Sequence, residues 1–238
     1  MHIYPADLTL WEHTFFASRE IGSLFESEPL IGNYALTYAL GLCPNNPYRL
    51  EAGQSGPRYH DDFAPLNQQG LYVTPAGFSS LRMALTTFNG QTDSYYFRFD
   101  QNAIAATHDK TRAMNFPQSG RIRMLGLGSR ARFYLLDRDH LIAAGKGPTL
   151  PPYIRLGKFM SKARVEWQKR VTPQQVTLDN AAISGLLNAA DLQDTAALLV
   201  YSTYNIHPAP VLRDVAMRGQ FWQLDANTLL PVGLSYGA

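Results

Sequence analysis

Between positions 121 and 170 the chain carries 12 basic residues and only 3 acidic ones. The stretch before it holds 7 and 11, and the stretch after it 2 and 5, so a net charge of +2 conceals a local balance of +9. Such a concentration suits a surface that binds a polyanion, because lysine and arginine side chains displace the counterions condensed on phosphates. Its bland alternative is a solvated basic face without a ligand. The candidates for phosphate contact are Arg121, Arg123, Arg130, Arg132, Arg155, Lys158, Lys162 and Arg164. Tyr134, Tyr153 and Phe159 lie among them, and planar side chains are what the unstacked bases of single-stranded RNA require. Core packing is the plainer reading of Tyr134 and Phe159. Gly126 and Gly128 either let backbone amides approach a phosphate or form an ordinary bulge or hairpin.

Enzyme chemistry finds less support. Gly145-Lys146-Gly147 has the outline of a phosphate loop's end, but glycine stands where a serine or threonine would hold magnesium. No serine sits in a nucleophile elbow. Asp137, Asp139 and His140 are metal-ligand types in close succession, yet the same residues suit a turn after a strand, and that reading is preferred. The same holds for His60-Asp61-Asp62 and His108-Asp109. Cys43 is the one cysteine, so neither an internal disulfide nor a cysteine zinc site can form. No cofactor and no metal are expected.

The elements that must position these residues follow from periodicity. Tyr4, Ala6, Leu8 and Leu10 share a parity, which predicts a strand over 2–10. Leu24 and Phe25 suggest a short helical turn before Pro29, and Ile31, Tyr34, Ala35, Tyr38 and Leu42 follow helical spacing up to Gly41 and Pro44. Residues 44–69 read as a long irregular loop or arm, and Leu71, Tyr72 and Val73 as a strand ended by Pro75. Asn89-Gly90 is a turn signal before a strand candidate at 95–99. Over 120–136, charged and apolar residues alternate on both sides of Gly126 and Gly128. This predicts two strands around a bend, with Arg121, Arg123, Arg130 and Arg132 outward. Asp179 could cap a helix through Ile183, Leu186 and Leu187, and 196–204, 211–218 and 220–224 look like closing strands.

Strands and few helices without a regular βαβ rhythm indicate an α+β fold in one domain over 1–238. Hydrophobic residues are 45% and charged residues 17%, a globular composition that excludes a disordered chain. No stretch approaches about 18 consecutive apolar residues, and the opening residues show no basic run followed by an apolar one. A cytoplasmic location without a membrane is therefore expected.

Five segments together resemble one family: FASREIG at 16–22, EPLIGNYALTYALG at 28–41, DFAPLN at 62–67, GLYVTPA at 70–76 and IRLGKFMSKAR at 154–164. The chain resembles the Cas-five-type subunit of type I-D CRISPR surveillance complexes (Cascade), the Csc-one family, best over 1–170. The resemblance implies a ferredoxin-like (RRM-type) core of the repeat-associated RNA-binding (RAMP) superfamily, with a glycine-rich loop and an arm-like insertion. It implies a non-catalytic subunit that holds the 5′ handle of the crRNA at one end of the complex. The implied neighbours are the backbone subunit and the large subunit, with the PAM duplex of target DNA nearby. Some relatives in other CRISPR types cleave repeat RNA, so a metal-independent endoribonuclease is the competing expectation. A scaffold whose basic zone meets an acidic protein is the third.

Overall fold

In the computed structural model, residues 1–22, 24–43, 57–89 and 119–237 are described. Residues 44–56 of the expected loop, the Asn89-Gly90 turn, the strand candidate at 95–99 and His108-Asp109 fall wholly or partly outside them. In chain order the elements begin with β1 (His2–Leu10), β2 (Arg19–Ile21), β3 (Leu24–Glu26) and β4 (Leu30–Ile31). Two helices follow, α1 (Asn33–Ala39) and α2 (Tyr59–Gln68). Next come β5 (Leu71–Val73), β6 (Ala76–Ser80), β7 (Met83–Asn89), β8 (Ser119–Leu125), β9 (Arg130–Asp137), β10 (Tyr153–Leu156) and β11 (Ser161–Trp167). The chain closes with β12 (Gln174–Ala182), β13 (Leu187–Asn188), β14 (Leu198–Tyr204), β15 (Val211–Asp225) and β16 (Thr228–Pro231).

Among the described residues these strands form three mostly antiparallel sheets of seven, four and five strands. The main sheet runs β10-β11-β1-β9-β6-β4, with β5 also paired to β9. At its centre β1 lies between β9 and β11, antiparallel to both. The expected parity holds, with Tyr4, Ala6, Leu8 and Leu10 buried. Because cross-strand partners share a face, Ala131, Phe133 and Leu135 of β9 and Ala163 and Val165 of β11 point the same way into the core. Both helices cover this inner face: α1 packs on β5 and β10, and α2 on β5.

One buried polar knot fastens the C-terminal sheet to that core. The Asp191 carboxylate, 1% exposed, accepts from Asn33 Nδ2 at 2.6 Å, Tyr72 OH at 2.8 Å, Tyr34 OH at 2.9 Å and the Gly237 N–H at 3.0 Å. Asn188 Nδ2 adds a bond to Asn33 Oδ1. Buried polar groups must be paired, since an orphaned one costs about 1–3 kcal/mol. Tyr236 fills the space beside the knot, its ring 4.6 Å from that of Phe63 and its hydroxyl 2.7 Å from Thr37 Oγ1.

The helix expected through Ile183, Leu186 and Leu187 is absent. Asp179 lies within β12, and the Ile183 N–H donates to the Val215 carbonyl. Three apolar residues spanning about one turn cannot nucleate a helix against a long partner strand, and Gly185 breaks the backbone at φ +94°. Leu24 and Phe25 form a strand, not a helical turn, because β3 finds β8 beside it in parallel. The second half of the expected 44–69 loop is α2. Asp61 and Asp62 occupy its first turn, where the helix dipole favours carboxylates, and Phe63 and Leu66 bury one face. The closing strands 211–218 and 220–224 are one strand, β15, which passes through Gly219 at φ +133°.

Candidate nucleic-acid interface

The expected pair of strands around the glycine bend exists, but the two do not pair with each other. β8 joins β3 and β7, whereas β9 joins β1, β5 and β6. The bend therefore hands the chain from one sheet to another. Its amides are consumed within the protein: Gly126 N–H donates to Arg82 O at 2.7 Å, Leu127 N–H to His13 Nδ1 at 3.1 Å and Gly128 N–H to Leu10 O at 2.8 Å. Of the two readings of these glycines these bonds favour the structural one, since an N–H already bonded at these distances is spent. The glycines serve geometry instead. A Cβ on Gly126 would meet the Arg82 carbonyl at 3.0 Å, and Gly128 sits at φ +78°. Gly128→Ala should lower stability by about 1–2 kcal/mol, the cost of a left-handed L-residue. A thermal melt of that variant checks it.

The outward face of the main sheet gathers most of the candidates. Arg130 and Arg132 stand opposite Thr9 and Asp7 of β1, and Arg164 stands opposite Thr9 from the other side. Tyr153 and Arg155 of β10 face Arg164 and Lys162 of β11. Arg130, Arg132, Tyr153, Arg155, Lys162 and Arg164 thus share one face across four neighbouring strands. At the Tyr134 end that face is covered: Tyr134 is buried, and Arg132 and Tyr134 line a cavity with Leu186, which precedes β13, and with Tyr204 and Arg213 of the C-terminal sheet. Tyr134 therefore belongs to the packing.

Not all of this positive charge is available. Arg132 makes a two-point bond to Asp7, at 2.8 and 3.0 Å, which raises the guanidinium's pKa further. Arg155 lies 3.5 Å from Glu12, Arg164 3.0 Å from Glu166, and Arg123 2.7 Å from Glu26. Arg121, Arg130, Lys158 and Lys162 have no carboxylate within ion-pair distance among the described residues. The excess counted along the sequence is partly neutralised by acids from outside that stretch, Asp7 of β1, Glu12 just past its end and Glu26 of β3. Exposed pairs of this kind contribute only about 0–1 kcal/mol, so a phosphate can displace the carboxylate. Asp7→Asn, which frees Arg132, should strengthen binding of single-stranded RNA by roughly threefold, read by fluorescence anisotropy.

Trp11 belongs to this face and escaped the sequence reading. Its backbone N–H donates to Lys162 O at 2.9 Å, which extends the β1–β11 ladder by one step. Its ring lies 5.1 Å from Tyr153 at 63°, and Lys162 Nζ sits 4.9 Å from the Trp11 ring and 4.5 Å from that of Tyr153. Both rings are substantially exposed, at 40% and 45%. The outward parity of Pro5, Asp7 and Thr9 runs straight to position 11, which was the signal available. An ammonium flanked by two open rings can hold a phosphate while the rings receive a base.

The remaining candidates sit elsewhere. Arg121 and Arg123 project from β8 in the four-stranded sheet, beside Leu24 and Glu26 of β3 and Leu85 and Thr87 of β7. Lys158 and Phe159 form the β10–β11 turn, where Lys158 N–H donates to Phe15 O and Phe159 stacks on Phe15 at 5.4 Å. The Asp137 carboxylate accepts from the N–H groups of Leu141 and Ile142 at 2.9 and 3.0 Å, as the turn reading requires. Cys43 is buried and its thiol is pushed up to about 12 by burial and by nearby Asp62. No helix among the described residues is long and apolar enough to cross a membrane.

No relative among curated proteins matches the chain. Two solved structures are similar in outline. One is a chain in the cryo-EM structure of the type III-B Cmr-beta bound to cognate target RNA and AMPPnP: identity is 8%, coverage 90% of this chain and 86% of that one, and TM-score 0.48. The other is the crystal structure of a CRISPR protein from Archaeoglobus fulgidus: identity is 14%, coverage 96% and 97%, and TM-score 0.41. The family described as type I-D CRISPR-associated protein Cas5/Csc1 matches residues 1–238, the whole chain. The chain accordingly belongs to the type I-D CRISPR-associated Cas5/Csc1 family.

Proposed function

We propose that this chain is a non-catalytic subunit of a type I-D Cascade effector that grips the 5′ handle of the crRNA with the outward face of its main sheet. In this reading it caps the backbone of the complex, touching the backbone and large subunits, and lies near the PAM duplex of target DNA. The observation that carries the proposal is the convergence of Arg130, Arg132, Tyr153, Arg155, Lys162 and Arg164, with Trp11, on one exposed face. Phosphate contacts from such a face position the strand, and its open rings accept unstacked bases. The strand order also supports a ferredoxin-like RAMP core: β11, β1, β9 and β5/β6 follow the order of a split βαβ unit, with helices between β1 and β5. The connection from β9 to β10 consists of turns where that unit carries its second helix.

The test is a titration of the purified chain with handle RNA in EDTA, across a series of salt concentrations. Binding whose log affinity falls linearly with log salt, with the RNA left intact, is expected. Specific cleavage in EDTA would move the assignment to a metal-independent endoribonuclease. Capture of an acidic protein that survives nuclease digestion, with no RNA bound, would make the basic face a protein-docking surface.

A further inference from the structure

Beside the basic face lies a groove of about 520 Å³ that its residues do not line. Phe15 and Phe159 form one wall, stacked at 5.4 Å and 28°. Phe25 of β3 and Phe88 of β7 form another, with their rings 6.2 Å apart. Ile122 lies between these strands, on the opposite side of β8 from Arg121 and Arg123. Lys158 also lines the groove and has no ion-pair partner among the described residues, whereas Arg19 beside it is engaged by Glu28 at 3.3 Å. Glu20 is the groove's described carboxylate.

We infer that this groove takes one unstacked nucleobase of a bound single-stranded RNA, with the adjoining phosphate on Lys158. The inference rests on the RNA-binding reading above and adds to it a base subsite. Three features favour a nucleotide over an apolar peptide segment. The groove is walled by aromatic rings with flat faces, which every base can stack on. A free ammonium stands at its side, where an apolar partner would have to bury an unpaired charge. Its turn is also the end of β10 and β11, the strands that carry Arg155 and Lys162, and Arg155 Nη1 reaches back to Met160 O at 3.2 Å. An RNA strand lying on the basic face therefore arrives at Phe159 without leaving positive charge. Glu20 repels phosphate, so the backbone passes on the Lys158 side and the base edge turns inward.

Phe159 is 55% exposed, so Phe159→Ala leaves the core intact. The experiment measures affinity of the full chain for handle RNA in which each nucleotide in turn is replaced by an abasic one. The same series is repeated with Phe159→Ala, and circular dichroism checks the fold of the variant. For the unaltered chain, an abasic substitution at one position should weaken binding about tenfold, within the range that base–aromatic stacking supports. In Phe159→Ala that penalty should vanish while intact RNA binds about tenfold more weakly. Salt-dependent binding that is indifferent to every abasic position, or a penalty that persists in Phe159→Ala, overturns the base subsite and leaves the RNA-binding reading standing. Absence of RNA binding by the unaltered chain overturns both.

Discussion

Replacing Arg130 and Lys162 together by glutamate is expected to weaken binding of handle RNA about 100-fold, equivalent to about 2.7 kcal/mol. These two residues are chosen because neither is neutralised by a carboxylate among the described residues, and both stand on the outward face of the main sheet. Their loss removes two phosphate contacts, which should reduce the slope of log affinity against log salt by about 1.4, since each contact on a single strand contributes about 0.7. The reversed charges add repulsion at low salt, so the deficit shrinks as salt rises. Arg130 is an exposed position, where substitutions usually change stability by no more than about 0.5 kcal/mol, whereas Lys162 is half-buried between the Trp11 and Tyr153 rings and its reversal also removes those contacts. A melting curve beside the titration separates lost binding from lost fold. The same reversal at Arg121 and Arg123, in the other sheet, tests whether a second contact area exists there.

Asp191→Ala is expected to cost on the order of 4 kcal/mol of stability, because it strands several buried donors that each cost about 1–3 kcal/mol unpaired. Asn33 Nδ2, the hydroxyls of Tyr34 and Tyr72 and the Gly237 N–H all lose their common acceptor. The C-terminal segment should then separate from α1 and β5, which urea denaturation and limited proteolysis would detect. The knot has a pH signature as well. Burial raises the Asp191 carboxyl above its ordinary range, and its donated hydrogen bonds oppose that shift. A raised folded-state pKa favours the protonated form in the fold. This group's contribution is therefore fully present below the ordinary aspartate pKa and is lost as pH rises through the elevated value. The pH dependence from this one group should disappear in Asp191→Ala.

The contrast between those two sites shows what a linear sequence can disclose. Strand β1 was legible because Tyr4, Ala6, Leu8 and Leu10 alternate with outward residues, and a half-buried strand leaves that trace whatever its neighbours are. The same parity made Arg130 and Arg132 outward on β9. What could not be read was which acids would lie across from them. Asp7 is 125 residues from Arg132 in the chain yet bonded to it, so a charge sum over 121–170 overstated the free positive charge. Pairing also decided the misread elements. Leu24 and Phe25 become a strand because β2 and β8 lie on either side of them, and residues 174–182 because β15 lies beside them. Helix α2 was hidden by Pro65, although that proline removes only the N–H that would reach the Asp61 carbonyl, at an exposed residue. The bend at Gly126 and Gly128 was correctly placed but its use was left between two readings, and tertiary partners decide for the structural one: glycine there reports a tight approach to Arg82, and its amides face partners already in the chain.

The central claim is that the outward face of the main sheet touches the crRNA handle in the assembled effector. Ultraviolet crosslinking of the complex, followed by mass spectrometry of the crosslinked peptides, tests it most directly, because Trp11 and Tyr153 are exposed aromatic residues on that face. The expected result is handle nucleotides attached to peptides containing Trp11 and Tyr153, weakened when Arg130 and Lys162 are reversed. Handle nucleotides crosslinked only to other subunits, with these two peptides unmodified, would contradict the account.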